Sequence, residues 1–157
     1  AAVKGLAWAA DKPCLGVSTL EAMAENVAHL NGLIVGAMDA RRAQVYNAVF
    51  EAKAGSLTRL TPDRAISLEA LCAQLTGKEQ PITVLGDGGA LCHRYLTEHG
   101  VKCSLAPAPL LYQNAVGVGL AAERAYARGE AVSAQELLPM YLRPAQAERL
   151  RNAKPEP

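Results

Sequence analysis

Leu33-Ile34-Val35-Gly36-Ala37-Met38-Asp39-Ala40-Arg41-Arg42-Ala43-Gln44-Val45-Tyr46 decides the fold class. Residues 33–38 are continuously apolar, as in a strand covered on both faces. Residues 39–42 are polar and turn the chain. Residues 45–51 then alternate, with Val45, Asn47 and Val49 on one side and Tyr46, Ala48 and Phe50 on the other, so a second strand returns along the first. Ala54-Gly55-Ser56 forms another turn before a third strand at 57–60, which completes an antiparallel meander.

Downstream, Ser67 caps a helix through Leu75, and Ile82, Thr83 and Val84 mark a strand over 81–85. Gly86-Asp87-Gly88-Gly89 loops into a helix at 90–99, and a strand follows at 101–105. Pro107 and Pro109 stiffen a connector to a long helix, 112–128, which Gly129 closes. One helical turn is expected at 133–138, and the Pro-rich residues 147–157 are expected to be loose. Upstream, residues 1–10 form a helix with Val3, Leu6, Ala7 and Ala10 on one face, followed by a short strand at 14–17. Ser18 with Glu21 is a capping box for a helix at 18–30, whose stripe is Leu20, Met23, Ala24, Val27 and Leu30. This order of elements is a mixed α/β fold.

Composition narrows the function classes. Half of the 157 residues are apolar and the net charge is +1, so there is no general electrostatic pull toward nucleic acid. The longest uncharged apolar run, 115–122, is too short to span a bilayer, and residues 1–10 lack the apolar core of a secretory signal. Cys14, Cys72, Cys92 and Cys103 form no C-x-x-C pair and read as reduced core thiols. Cys92, His93, His99 and Cys103 match no usual zinc spacing.

Two segments have the residue types of a nucleotide site. Asp39 could hold a metal-bound water, and Arg41 and Arg42 could fork onto phosphate oxygens; the plainer reading is a polar turn. Gly86, Asp87 and Gly88 follow a strand and open a helix, where backbone N–H groups can cradle an anion, though the same pattern serves as an ordinary strand-to-helix turn. No G-x-S-x-G elbow accompanies any serine, and no acid, base or nucleophile is nominated. Ala22, Ala24 and Ala28 are small enough for close helix approach.

Met38 to Tyr46, together with Gly5-Leu6-Ala7-Trp8-Ala9, Gly16-Val17-Ser18-Thr19-Leu20-Glu21-Ala22 and Pro139-Met140-Tyr141-Leu142-Arg143, resembles the TsaB (YeaZ) family over about residues 1–143. The resemblance implies an actin-like ATPase lobe with a ribonuclease-H-like mixed sheet. Residues 32–132 would be the C-terminal lobe, 1–31 the remainder of a first lobe, and 133–157 a closing segment and tail. Full-length relatives begin with a strand-hairpin unit and a Gly-rich loop before this helix, so the chain reads as a C-terminal portion. The family, called glycoprotease-like in older usage, supplies a non-catalytic scaffold to a cytoplasmic TsaB–TsaD–TsaE complex that makes threonylcarbamoyladenosine in tRNA. ATP and metal would belong to the partner subunits. The resemblance implies TsaD as direct partner, TsaE through the complex, tRNA indirectly, a homodimer as the other association, and no membrane. It places the partner interface on Leu6, Ala10, Leu20, Met23, Ala24 and Val27. The catalytic relative TsaD carries a helical pair of metal-binding histidines four residues apart, whereas His93 and His99 are six apart. The alternative is a degenerate actin-like nucleotide-binding protein with residual ATP binding or hydrolysis, using Asp39, Arg41, Arg42 and Gly86 to Gly88.

Overall fold

The computed structural model describes residues 1–142; Arg143 and the tail expected to be loose lie outside them. The meander appears as β1 (Gly32–Asp39), β2 (Gln44–Lys53) and β3 (Ser56–Arg59). β1 and β2 are antiparallel and pair along their length, from Gly32 opposite Ala52 to Asp39 opposite Val45. A fourth strand, β4 (Arg64–Ser67), was not legible in the sequence. It pairs with β2 at Gln44–Asn47 while β3 pairs at Phe50–Lys53, so two short strands share one edge of β2. β5 (Ile82–Leu85) is parallel to β1, and β6 (Ser104–Leu105) is parallel to β5, which gives the order β3-β2-β1-β5-β6. This is a mixed actin-like, ribonuclease-H-like sheet.

The helices are α1 (Ala2–Ala9), α2 (Thr19–Glu25), α3 (Leu68–Leu75), α4 (Gly89–Glu98) and α5 (Ala115–Ala127), with a 3-10 turn at Ala108–Leu110. Ser18 and Ser67 cap as expected, their hydroxyls accepting from the N–H groups of Glu21 and Ala70. Several boundaries differ from expectation. Residues 14–17 are not a strand; Cys14 makes only a two-way backbone bridge with Val132, at 2.8 and 2.9 Å. α2 ends at Glu25, because Asn26 turns its side chain onto the carbonyls of Leu110 and Tyr112. α5 starts at Ala115, capped by Asn114, three residues later than the pattern suggested. Residues 133–138 make a single turn, closed by Leu137 N–H on the Ser133 carbonyl and by a Ser133–Glu136 capping box.

β2 separates two cores. Val45 and Val49 join Leu33, Val35 and Val84 under α3 and α4. Ala48, Phe50 and Ala52 join Ile34 and Leu85 under α2. Each fully buried Leu, Ile or Phe here contributes about 1.5–3 kcal/mol. Between the faces, buried Asn47 is satisfied: its Nδ2 donates to the Gly36 carbonyl at 2.8 Å and its Oδ1 accepts from Arg64 at 3.2 and 3.3 Å. α2 packs directly on the sheet, Leu20, Met23 and Ala24 sharing a core with Ile34 and Phe50.

Candidate functional site

The residues singled out for nucleotide chemistry do meet. Asp39 ends β1 and Gly86 follows β5, at the carboxyl end of two parallel neighbours, where open α/β sheets hold their ligands. Asp39 N–H donates to Asp87 Oδ1 at 3.3 Å, and Asp39 Oδ1 accepts from Arg41 N–H at 2.7 Å. Arg41, Arg42 and Asp87 are exposed, whereas Gly86 and Gly88 are buried.

The loop has little left to offer an anion. Gly86 N–H donates to the Leu111 carbonyl, Gly88 N–H to Ala37 and Gly89 N–H to Gly86. Close packing explains the glycines: a Cβ on Gly86 would lie 2.1 Å from the Ala37 carbonyl oxygen, and one on Gly88 2.7 Å from Asp39 N. The glycine-rich spacing thus serves the approach of the loop to β1. Arg41, Arg42 and Ala43 are successive non-glycine residues with φ of 65°, 55° and 54°, an uncommon left-handed run at the hairpin tip.

The expected partner face divides in two. Leu20, Met23, Ala24 and Val27 are 0–3% exposed and lie in the core beneath α2, so direct contact of these four with a partner is corrected to core packing against Ile34, Phe50 and Leu85. The small residues of α2 do support close helix approach, but to α5 of the same chain. A Cβ on Gly117 would meet the Ala22 carbonyl oxygen at 2.1 Å, and Ala121 and Ala125 continue the buried stripe of α5. Leu6 and Ala10 are exposed. α1 buries no residue at all, and Leu6 is 74% and Trp8 66% exposed. It is tied to the molecule through residues 132–135, where Lys4 Nζ donates to the Gln135 carbonyl at 3.1 Å.

Two features went unread. The outer face of α5 leaves Val116, Leu120 and Tyr126 exposed; the run Val116-Gly117-Val118-Gly119-Leu120, apolar all round, was the signal that more than one face needs cover. Buried Glu25 pairs with Arg124 of α5 at 2.6 Å, a tie between distant segments that no spacing reveals. Burial pushes the Glu25 carboxyl above its ordinary range, although Arg124 opposes this. Burial likewise pushes the Cys92 thiol up to about 12, with nearby Cys103 and Cys72 adding to it, which makes it a poor nucleophile or metal ligand at neutral pH. Among the described residues, no group of three or more His, Cys, Asp or Glu is placed to hold a metal, and no helix is long and apolar enough to cross a membrane.

The comparisons fit this architecture. The family model described as TsaD: tRNA N6-adenosine threonylcarbamoyltransferase matches residues 1–149. The tRNA threonylcarbamoyladenosine biosynthesis protein TsaB of Bacillus subtilis (strain 168) is 34% identical over 147 residues, covering 92% of this chain and 62% of that protein. A solved structure of YeaZ from Pseudomonas aeruginosa superposes with a TM-score of 0.70 at 24% identity, covering 90% of this chain and 65% of that one. A structure described as an uncharacterized protein with similarity to peptidase YeaZ from Pseudomonas aeruginosa gives 0.72, also at 24% identity, covering 90% and 64%. The chain spans less than two thirds of the length of each of these relatives. With the family model matching residues 1–149 and the sheet order in place, the chain belongs to the family described as TsaD: tRNA N6-adenosine threonylcarbamoyltransferase.

Proposed function

We propose that this chain is a portion of a TsaB-type subunit that serves the synthesis of threonylcarbamoyladenosine in tRNA without catalysing the transfer itself. It acts in the cytoplasm as a scaffold for TsaD, with TsaE and tRNA engaged through the complex, and a homodimer is the competing association. Residues 1–31 belong to a first lobe and 32–132 to a second on this reading. The observation that carries it is α1, a helix that buries nothing of its own and presents Val3, Leu6 and Trp8 to solvent. The family match supplies the pathway. Co-purification with TsaD tests it: Leu6→Arg should abolish association while the fold survives, and undiminished association would remove α1 from the interface.

The nucleotide-binding alternative is favoured by one observation, the meeting of Asp39 and Asp87 at the carboxyl end of β1 and β5. It requires Gly86 and Gly88 to give up their present hydrogen bonds. Calorimetry with ATP and magnesium separates the readings: heat of binding that vanishes in Asp39→Ala supports the alternative, and no heat supports the scaffold.

A further inference from the structure

α5 lies on α2 rather than on the sheet, and the seam between them is built from small residues: Ala22 on one side, Gly117, Ala121 and Ala125 on the other. Among the described residues, one ion pair enters that seam. The Glu25 side chain is 1% exposed; its Oε1 accepts from Arg124 Nη1 at 2.6 Å, while its Oε2 is buried with no hydrogen-bond partner among the described residues. The arrangement is lopsided. Arg124 keeps 36% of its side-chain surface in water, so it loses little if the pair parts, whereas the carboxylate is dehydrated with half of its acceptor capacity unused.

The other charged groups do not repair this. Glu21, one turn earlier on α2, adds repulsion and is itself held by Arg59 of β3 at 2.6 Å. Arg128 of α5 is paired with Glu130. The strands under α2 present Ile34, Ala48 and Phe50, which carry no charge.

We propose that Glu25 is a proton-exchange site built into the α2–α5 seam, where uptake of a proton trades the Glu25–Arg124 ion pair for a neutral buried carboxyl and releases the Arg124 cation to the surface of α5. The balance is one proton gained by the carboxylate and one unit of positive charge freed on α5, with no covalent change. The sign follows from burial. The folded chain holds this proton more tightly than the unfolded chain, so the contribution of Glu25 to stability is fully present below its unfolded value near 4.5 and is lost as pH rises through the higher folded value. Acid therefore changes the surface charge of α5 without loosening the fold through this group.

Carbon-detected titration of the glutamate carboxyls in the whole chain tests the proposal, with the Arg124 side-chain Nε–H followed in the same samples. The Glu25 midpoint should lie above the ordinary glutamate value, and the Arg124 signal should shift at that same midpoint. In Glu25→Gln the Arg124 shift should be absent, and the wild-type melting temperature should rise toward that of the variant as pH is lowered. A Glu25 midpoint at or below the ordinary value, or an Arg124 signal that ignores it, overturns the proposal. If Glu25→Gln does not fold, the wild-type titration decides alone. Neither readout depends on any partner, so its failure leaves the scaffold reading standing.

Discussion

α1 and α2 carry the same kind of apolar pattern and meet opposite fates. α2 lays Leu20, Met23 and Ala24 on the sheet, Val27 follows just past its end, and all four are buried. α1 holds Val3, Leu6 and Trp8 in solvent and buries none. Helical amphipathicity states only that a face needs cover. It does not say whether the cover is the chain's own sheet or another surface. What separates the two helices is their setting: α2 leads through a six-residue link, 26–31, into β1 and shares a core with the sheet, while the chain after α1 is held by the Cys14–Val132 bridge and α1 leans on Gln135 through Lys4.

The largest expected effect breaks the comparison directly. Ala24→Arg puts a cation into a fully buried position and should cost on the order of 4–5 kcal/mol, at the severe end for single changes. Leu6→Arg, at 74% exposure, should stay within about 0.5 kcal/mol of the parent. Urea unfolding followed by circular dichroism measures both. Equal losses would mean that α1 is packed against the molecule after all.

A smaller contrast lies within α5. Gly117→Ala forces a methyl group against the Ala22 carbonyl, where the ideal Cβ lies 2.1 Å from oxygen, and should destabilise by about 1–3 kcal/mol. Gly119→Ala meets nothing within 4 Å and removes a helix-interior glycine, so it should stabilise by about 0.5–1 kcal/mol. Opposite shifts in the denaturation midpoint are the expected pair. Shifts of one sign would show that α5 does not rest on α2 through Gly117.

These contrasts also mark what could be read from residues alone. The hairpin of β1 and β2, the strand at Ile82–Leu85 and the serine caps were legible because each is coded locally, by an apolar run, β-branching or a side chain three residues from its N–H. β4 was not, because Arg64-Ala65-Ile66-Ser67 has no strong period and is a strand only through its pairing with β2. The apolar faces of the first two helices were legible, but not what covers them. Leu6 is exposed, whereas Leu20, Met23, Ala24 and Val27 are buried by a sheet that is specified elsewhere in the chain. The glycines at 86 and 88 read from sequence as an anion cradle or a plain turn; their role in the close approach of the loop to the end of β1 was not legible, because β1 lies about fifty residues away in the chain.

The hairpin tip tests the limit of the comparison, being as exposed as α1 yet not indifferent to substitution. Arg41, Arg42 and Ala43 all hold left-handed backbone, with φ between 54° and 65°. An L side chain costs roughly 1 kcal/mol there and glycine almost nothing, part of the gain being returned through glycine's freer unfolded state. Arg42→Gly should therefore raise stability by up to about 1 kcal/mol, while Arg42→Ala, which keeps the Cβ, should change it by no more than about 0.5 kcal/mol. Thermal melts of the two variants beside the parent would show the difference. If glycine lowers stability, as in an ordinary strand, the left-handed run is not what the hairpin adopts. A glycine variant that is more stable would locate the strain in the backbone itself, and strained backbone persists where the surrounding structure imposes it.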